Sequence, residues 1–361
     1  MSDKIRVLHL VGAMNCGGQE TFIMNVMRHI NREKIQFDFL EYGTEDFYFN
    51  QEIKALGGTV YRVTAKSKNP FLNIWQTLRL FSREKFDVVH IPSYEATCFV
   101  NLLLAKLCGI KMRIVHCHST LGTGKTTNKL FRPLMNGLAT HRFACSGVAG
   151  ESLFGTAPFE IIYNAIDAQQ FAYNPAVRQE MRTRLQLQEH FAVCHIGRFS
   201  PPKNHSFLLD IFAEILKKQP NAILLLVGDD KELPEVRHKA QQLLLTPHIR
   251  FLGVCSNTAQ ILQAADAFVF PSLFEGLGIA LIEAQASGLA CFASTEVPLA
   301  ADVTGTVTYL PLAENAAHWA KTILAAAPAK RISHVDDLRD AGYDITALAD
   351  HLGNIYAESR L

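Results

Sequence analysis

The sequence predicts an α/β protein built as two doubly wound lobes facing each other across a cleft, and three observations carry that prediction. The chain has 361 residues, too many for one ordinary core at roughly 150 residues per domain. Short β-branched runs alternate with amphipathic stretches almost throughout, the rhythm of a parallel sheet covered on both faces. That rhythm lapses once, over the polar segment 164–190 (NAIDAQQFAYNPAVRQEMRTRLQLQEH), and then restarts. A linker there separates a first lobe, residues 1–168, from a second, residues 169–342.

In the first lobe the strands are expected at IRVLHLV (5–11), FDFLEY (37–42), DVVHI (87–91), RIVHCH (113–118) and HRFACS (141–146), with helical patterns such as QETFIMNVMRHIN and EATCFVNLLLAKLCG between them. In the second they are FAVCHIG, AILLLVG, IRFLG, AFVFP and ACFAS. The end of the chain carries Ile345, Leu348, Leu352, Ile355 and Tyr356 as a helical stripe that needs a surface to cover. Residues 343–361 are therefore expected to pack back on the first lobe.

Apolar residues make up 48% and charged residues 19% of the chain, a balance that fits a packed globule and leaves no stretch polar enough to be disordered. No run approaches the roughly 18 to 20 apolar residues of a spanning helix, and MSDKIRVLHLVG passes directly into a strand, so the expectation is a cytoplasmic protein. The eight cysteines stand singly inside apolar runs and read as reduced, buried small hydrophobes. Net charge is +1; with no recognition module, nucleic acid is not an expected partner.

The charge is uneven: residues 1–175 hold 19 Lys+Arg against 14 Asp+Glu, and the remainder 16 against 20. Within the basic half, residues 61–85 gather Arg62, Lys66, Lys68, Arg79, Arg83 and Lys85 against Glu84 alone, interleaved with Phe71, Trp75 and Phe81. Such a segment is either an ordinary solvated helix face or a surface that rests on an anionic membrane at the inner face of the cell.

Chemistry-bearing residues collect where strands end. The first strand runs into GAMNCGGQE, where Gly12, Gly17 and Gly18 open a helix at about Gln19; such a loop is a tight turn or lets the backbone approach an anion. GTGKTT (122–127) resembles the end of a phosphate-binding loop, but Ser119 stands where that loop needs its first glycine. His90, His116 and His118 close two strands and are expected to face the cleft. In the second lobe Arg198 and Lys203 flank the Pro201-Pro202 turn just before a helix, a clamp for a diphosphate. In FPSLFEGLGIALIEAQASG (270–288) the helix starts near Gly278 and surrounds Glu283 with apolar neighbours, so that carboxylate needs a partner such as a ribose diol. Glu275, in the preceding loop, is placed to hold sugar hydroxyls.

Together GGQE (17–20), HCHS (116–119), ACSGVAGESLFG (144–155), NAID (164–167), GRFSPPKN (197–204), LLVGDD (225–230), IRFLG (249–253) and FEGLGIALIEA (274–284) resemble glycosyltransferase family 4, the large retaining family with the GT-B fold of two Rossmann-like domains, and within it the exopolysaccharide and capsule branch. The resemblance implies transfer of a hexose or N-acetylhexosamine from a nucleotide sugar, most simply UDP-linked, to a glycan or lipid-linked acceptor. It implies that Glu275 contacts donor-sugar hydroxyls and Glu283 the ribose, that Arg198 and Lys203 neutralise the departing diphosphate, and that Gly278, Ile279 and Ala280 offer backbone N–H groups near phosphate and sugar. Val254 would lie near the nucleobase, Gly17 and Gly18 near the diphosphate, and His118 near the reacting carbon. No D-x-D motif is present, so neither a metal nor any other cofactor is expected. Ala165 in NAID and the LVGDDKE loop depart from the family pattern. The alternatives are a sugar-nucleotide epimerase on the same fold and a non-catalytic transferase-like partner subunit.

Overall fold

The computed structural model describes residues 4–15, 17–119, 126–228, 234–255 and 257–360. The chain divides into two units, residues 1–166 with 342–361, and residues 167–341.

Among the described residues the first unit holds seven parallel strands: β1 (Ile5–Gly12), β2 (Ile35–Tyr42), β3 (Val60–Val63), β4 (Val88–Pro92), β5 (Met112–Cys117), β6 (His141–Ala144) and β7 (Glu160–Ile161), in the order β3-β2-β1-β4-β5-β6-β7. Neighbouring residues along a strand alternate between the two faces. Val7, Phe37, Val88 and Ile114 pack under helices Gly18–His29 and Ile345–Ala357. Leu8, Leu40, Val89 and Val115 pack in a second cluster on the opposite face. The C-terminal helix buries Ile345, Leu348, Ala349, Leu352, Ile355 and Tyr356 in the first of these cores, and Arg360 reaches Asp87 at 3.2 Å.

The second unit holds β8 (Phe191–Ile196), β9 (Ala222–Val227), β10 (Ile249–Gly253), β11 (Ala267–Phe270), β12 (Ala290–Ser294) and β13 (Val307–Leu310), all parallel, in the order β10-β9-β8-β11-β12-β13. Helices His205–Lys218 and Ala316–Ala326 cover one face, with Phe212 and Trp319 fully buried. β9 and β11 are apolar along their whole length, as befits strands buried on both faces, and β8 and β12 depart from this only at buried His195 and Ser294.

Several expectations need correction. Strands β3, β7 and β13 are short and lie at or next to sheet edges, so their sequences lack a buried alternation. Segment 164–190 is no loose linker: helices Ala168–Phe171 and Pro175–Arg184 lie within it. Arg178 and Arg182 anchor the second helix on buried Asp266 (2.5 and 3.1 Å) and on carbonyls at the end of helix Thr258–Ala264. Residues 60–63 form β3, so only Pro70–Arg83 of the basic aromatic segment is helical. Cys108 and Cys255 are half-buried, unlike the other described cysteines.

Candidate functional site

Strand order in the second unit reverses between β8 and β11, and the crevice beyond the carboxyl ends of such a pair is where open α/β sheets take ligands. β8 leads into Gly197 and Arg198, and β11 into the loop that ends at Gly278. The two loops are tied together: Leu273 N donates to Pro202 O at 2.7 Å and Asn204 Nδ2 to Pro271 O at 3.1 Å. Beside these ties Lys203 Nζ donates to Glu275 Oε1 at 2.6 Å. Ser272 Oγ donates to the same oxygen at 2.7 Å, and the lysine lies over the Phe270 ring, 4.7 Å from its centre. Held in this way, Glu275 keeps Oε2 without a hydrogen-bond partner among the described residues. Arg198 is exposed, its guanidinium unpaired among the described residues. A cation that is exposed at a strand's carboxyl end, beside a paired lysine, suits an anionic ligand that arrives from solvent.

Helix Ile279–Ala286 begins at the same place, with Gly278 as N-cap at φ 92°. A side chain there would be strained, and its Cβ would lie 3.2 Å from Phe270. No side chain caps the helix, so its first N–H groups, on Ile279 and Ala280, remain available. Leu281, Ile282, Ala284, Gln285 and Ala286 are fully buried, whereas Ile279 and Ala280 are half-buried. Glu283 follows them at i+4 and i+3 on the same strip, 9% exposed. Its carboxyl has no partner among the described residues, and burial pushes its pKa up to about 8. This strip therefore presents helix amides at one end and a proton-holding carboxyl one turn later. Val254, after β10, is 44% exposed.

In the first unit the strand order reverses between β1 and β4. Buried Glu41 accepts from Met14 N at 3.2 Å and from Asn50 Nδ2 at 2.9 Å, which fixes the loop after β1; burial pushes its pKa up. Gly17 is the N-cap of helix Gly18–His29, again without a side-chain cap. The helix lays Phe22 against His118, ring centres 5.1 Å apart. Gly17, Gly18 and His118 are thus brought to one end of this sheet.

The three histidines do not share one environment. His118 lies just past β5, its Nδ1 2.9 Å from Asn164 Oδ1, an oxygen that can only accept, with Nε2 buried and unpartnered among the described residues. His90 and His116 lie inside the core, at 3% and 0% exposure, against the expectation that they face a ligand. They stand on the face that the C-terminal helix covers: His90 bonds Tyr356 Oη through Nδ1 at 2.9 Å and His116 through Nε2 at 3.3 Å. Burial lowers the pKa of all three, that of His118 to about 4.

Residues 122–125 of GTGKTT and 229–232 of LVGDDKE lie outside the described residues. Among the described residues no group of three or more His, Cys, Asp or Glu is placed to hold a metal ion. Sequence reasoning missed Ser272, Phe270 and Asn204, which orient Glu275 and Lys203. The short polar motif FPS before the glutamate loop is the one local signal that could have flagged the first two.

Residues 16–170 match the family model described as Glycosyltransferase Family 4, and residues 177–326 that described as Glycosyl transferases group 1. EpsF of Bacillus subtilis (strain 168), a protein assigned as a glycosyltransferase, is 35% identical over 98% of this chain and 97% of its own length. The chain belongs to glycosyltransferase family 4. Another relative, the capsular polysaccharide biosynthesis glycosyltransferase CapH of Staphylococcus aureus, is 26% identical over 78% of this chain and 79% of CapH. The fold is shared with HepE of Anabaena, solved in complex with UDP-glucose, at a TM-score of 0.74 and 19% identity over 98% of each chain. It is shared also with WaaG, a glycosyltransferase involved in lipopolysaccharide biosynthesis, at 0.67 and 15% identity over 96% of this chain and 95% of WaaG. The architecture is GT-B, and the chain is a glycosyltransferase.

Proposed function

We propose that this glycosyltransferase moves a hexose or N-acetylhexosamine from a UDP-sugar to a lipid-linked or oligosaccharide acceptor in bacterial surface polysaccharide synthesis, with retention at the anomeric carbon. The observation that carries the reading is the second unit's crevice, where an exposed arginine, a Lys203–Glu275 pair and an uncapped helix start meet a buried unpartnered glutamate. HepE was solved with UDP-glucose. A relative 27% identical over 60% of this chain is the UDP-Gal:α-D-GlcNAc-diphosphoundecaprenol α-1,3-galactosyltransferase of Escherichia coli. Both support a UDP donor, and the second supports a lipid-linked acceptor. The second is a transferase, which favours neither an epimerase nor a non-catalytic subunit.

In this reading Glu283 takes the ribose diol, Val254 lies by the base, and Glu275 Oε2 accepts from the donor sugar. When the bond between the anomeric carbon and the β-phosphate oxygen breaks, the electron pair stays on that oxygen. Arg198, Lys203 and the N–H groups of Ile279 and Ala280 stabilise the charge, so the transfer needs no metal. Gly278 lets the backbone approach, Gly17 and Gly18 serve the diphosphate, and His118 the sugar. The acceptor hydroxyl attacks from the leaving-group side and passes its proton to the departing diphosphate. Proton NMR of the product from an α-linked UDP-hexose tests this: retention gives the small anomeric coupling of an α-glycoside, and a large coupling would refute it.

We further propose a peripheral contact with anionic membrane at the cell's inner face. No helix among the described residues is long and apolar enough to cross a membrane. Helix Pro70–Arg83, however, is turned inside out: Asn73 and Thr77 are buried with Phe81, while Phe71 is 83% and Trp75 54% exposed, beside exposed Leu72, Ile74 and Leu78. Arg79 stacks on Trp75 at 5.4 Å, and exposed Arg83 and Lys85 follow. Flotation with anionic liposomes should be lost on reversing Arg79, Arg83 and Lys85; unchanged flotation would remove the contact.

A further inference from the structure

The pairing of His118 with Asn164 has a consequence that no motif of the chain spells out. Asn164 comes from the NAID turn, whose backbone is clamped: Ala165 N donates to Tyr163 O at 2.8 Å, Ile166 N to Tyr343 O at 3.0 Å, and Ile345 N to Ile166 O at 3.0 Å. The Tyr163 and Tyr343 rings pack beside it, tilted, with centres 4.8 Å apart. Asn164 is 5% exposed, so its amide is held where the returning chain puts it.

Two arrangements satisfy the 2.9 Å contact with His118 Nδ1. If Asn164 Oδ1 accepts, His118 carries its proton on Nδ1, and Nε2 is a bare lone pair. If the amide is turned over and donates, the proton moves to Nε2, where it is buried with no acceptor among the described residues. A buried N–H without an acceptor costs more than an under-used lone pair. An imidazolium is disfavoured as well, because His116 lies 3.8 Å away ring to ring and the apolar Phe22 ring packs against both histidines. His90 and His9 continue the stack behind His116. The neutral Nδ1–H form is the one that this environment accepts.

We propose that Asn164 is a positioning residue that fixes His118 as the Nδ1–H tautomer, so that Nε2 accepts a hydrogen bond from a substrate hydroxyl. A polyol is the ligand class that this lone pair recognises: a hydroxyl can donate to it, whereas a phosphate oxygen cannot. The proposal rests on the transferase reading for the identity of the hydroxyl, but the tautomer is a property of the protein alone.

Two readouts keep these separate. Histidine-selective long-range ¹H–¹⁵N NMR on the full chain at pH 7.5 should show His118 with Nδ1 protonated and Nε2 bare; Nε2–H in the wild type overturns the proposal whatever the activity. Asn164→Ala should lose that tautomer and lower kcat with a UDP-hexose by roughly 2- to 13-fold, the worth of one neutral hydrogen bond, while KM for the donor holds. Asn164→Asp should restore the Nδ1–H form and recover kcat at pH 8.5, then lose it on acidification as the new carboxylate draws a proton onto His118. An unchanged tautomer and kcat in Asn164→Ala would also overturn it. The expected tautomer with no turnover of any nucleotide sugar would refute the transferase reading and leave the Asn164–His118 assignment standing.

Discussion

Nucleotide-sugar binding should release a proton, and Glu283 should be its source. Burial without a partner raises its pKa from 4.5 to about 8, so at pH 7 about nine in ten free molecules hold the proton. A ribose diol donates two hydrogen bonds and is best met by the ionised carboxylate. Binding a UDP-hexose, whose own phosphates do not titrate near neutrality, should then release about 0.9 proton at pH 7. The dissociation constant should fall about 50-fold from pH 6 to pH 8 and flatten above. Calorimetry in buffers of different ionisation enthalpy reads the proton directly. Buffer-independent heats in the wild type, or the same proton release from Glu283→Gln, would refute the assignment. The free protein carries the complementary signature. A group whose pKa is higher folded than unfolded stabilises the fold fully below 4.5, and that stabilisation is lost as pH rises through about 8. At about 1.4 kcal/mol per unit the loss is at most roughly 5 kcal/mol, so Glu283→Gln should be the more stable protein at pH 8.5.

Acid should unfold the protein through its histidines. Burial keeps His9, His90, His116, His118, His195 and His205 neutral, so below pH 6.5 the unfolded chain takes up protons that the fold cannot. Stability should fall from pH 6.5 through 4 at up to about 1.4 kcal/mol per pH unit for each. His9→Phe, between Phe37 and Phe39, should remove one such step in urea titrations; an unaltered slope would count against it. Lys203→Ala should cost about 1–3 kcal/mol by leaving Glu275 with Ser272 alone, and a double-mutant cycle with Glu275→Gln should show coupling in melting and in UDP affinity. Gly278→Ala, at φ 92°, should cost about 1–2 kcal/mol and weaken donor binding; a neutral substitution would show that the helix start does not need its glycine.

The central strands were legible because strands buried on both faces are continuous apolar runs, as in AILLLV of β9 and AFVF of β11. Edge strands such as EI of β7 are two exposed residues and carry no such signal. The helix inside 164–190 was hidden because its tether is polar and remote: Arg178 meets Asp266 from 88 residues away. The site divides along the same line. Glu283 was readable as a buried charge because its helical neighbours, all local, are apolar. The pairing of Lys203 with Glu275 spans 72 residues and that of His118 with Asn164 spans 46; only folding reveals either. His90 and His116 were misplaced for a related reason: the strand ends were read correctly, but the face that the C-terminal helix covers is set by a segment more than 200 residues away.

The central claim is that the second unit's crevice binds a nucleotide sugar and breaks its glycosidic bond to diphosphate. Slow donor hydrolysis measures this without a known acceptor. Purified wild-type protein, incubated with a panel of UDP-sugars in the presence of a metal chelator, should release UDP from at least one of them. Arg198→Ala and Glu275→Gln, folded by circular dichroism, should not. Release that requires a divalent cation would contradict the charge-stabilisation scheme, and undiminished release by both variants, or none from any donor by the wild type, would contradict the claim itself.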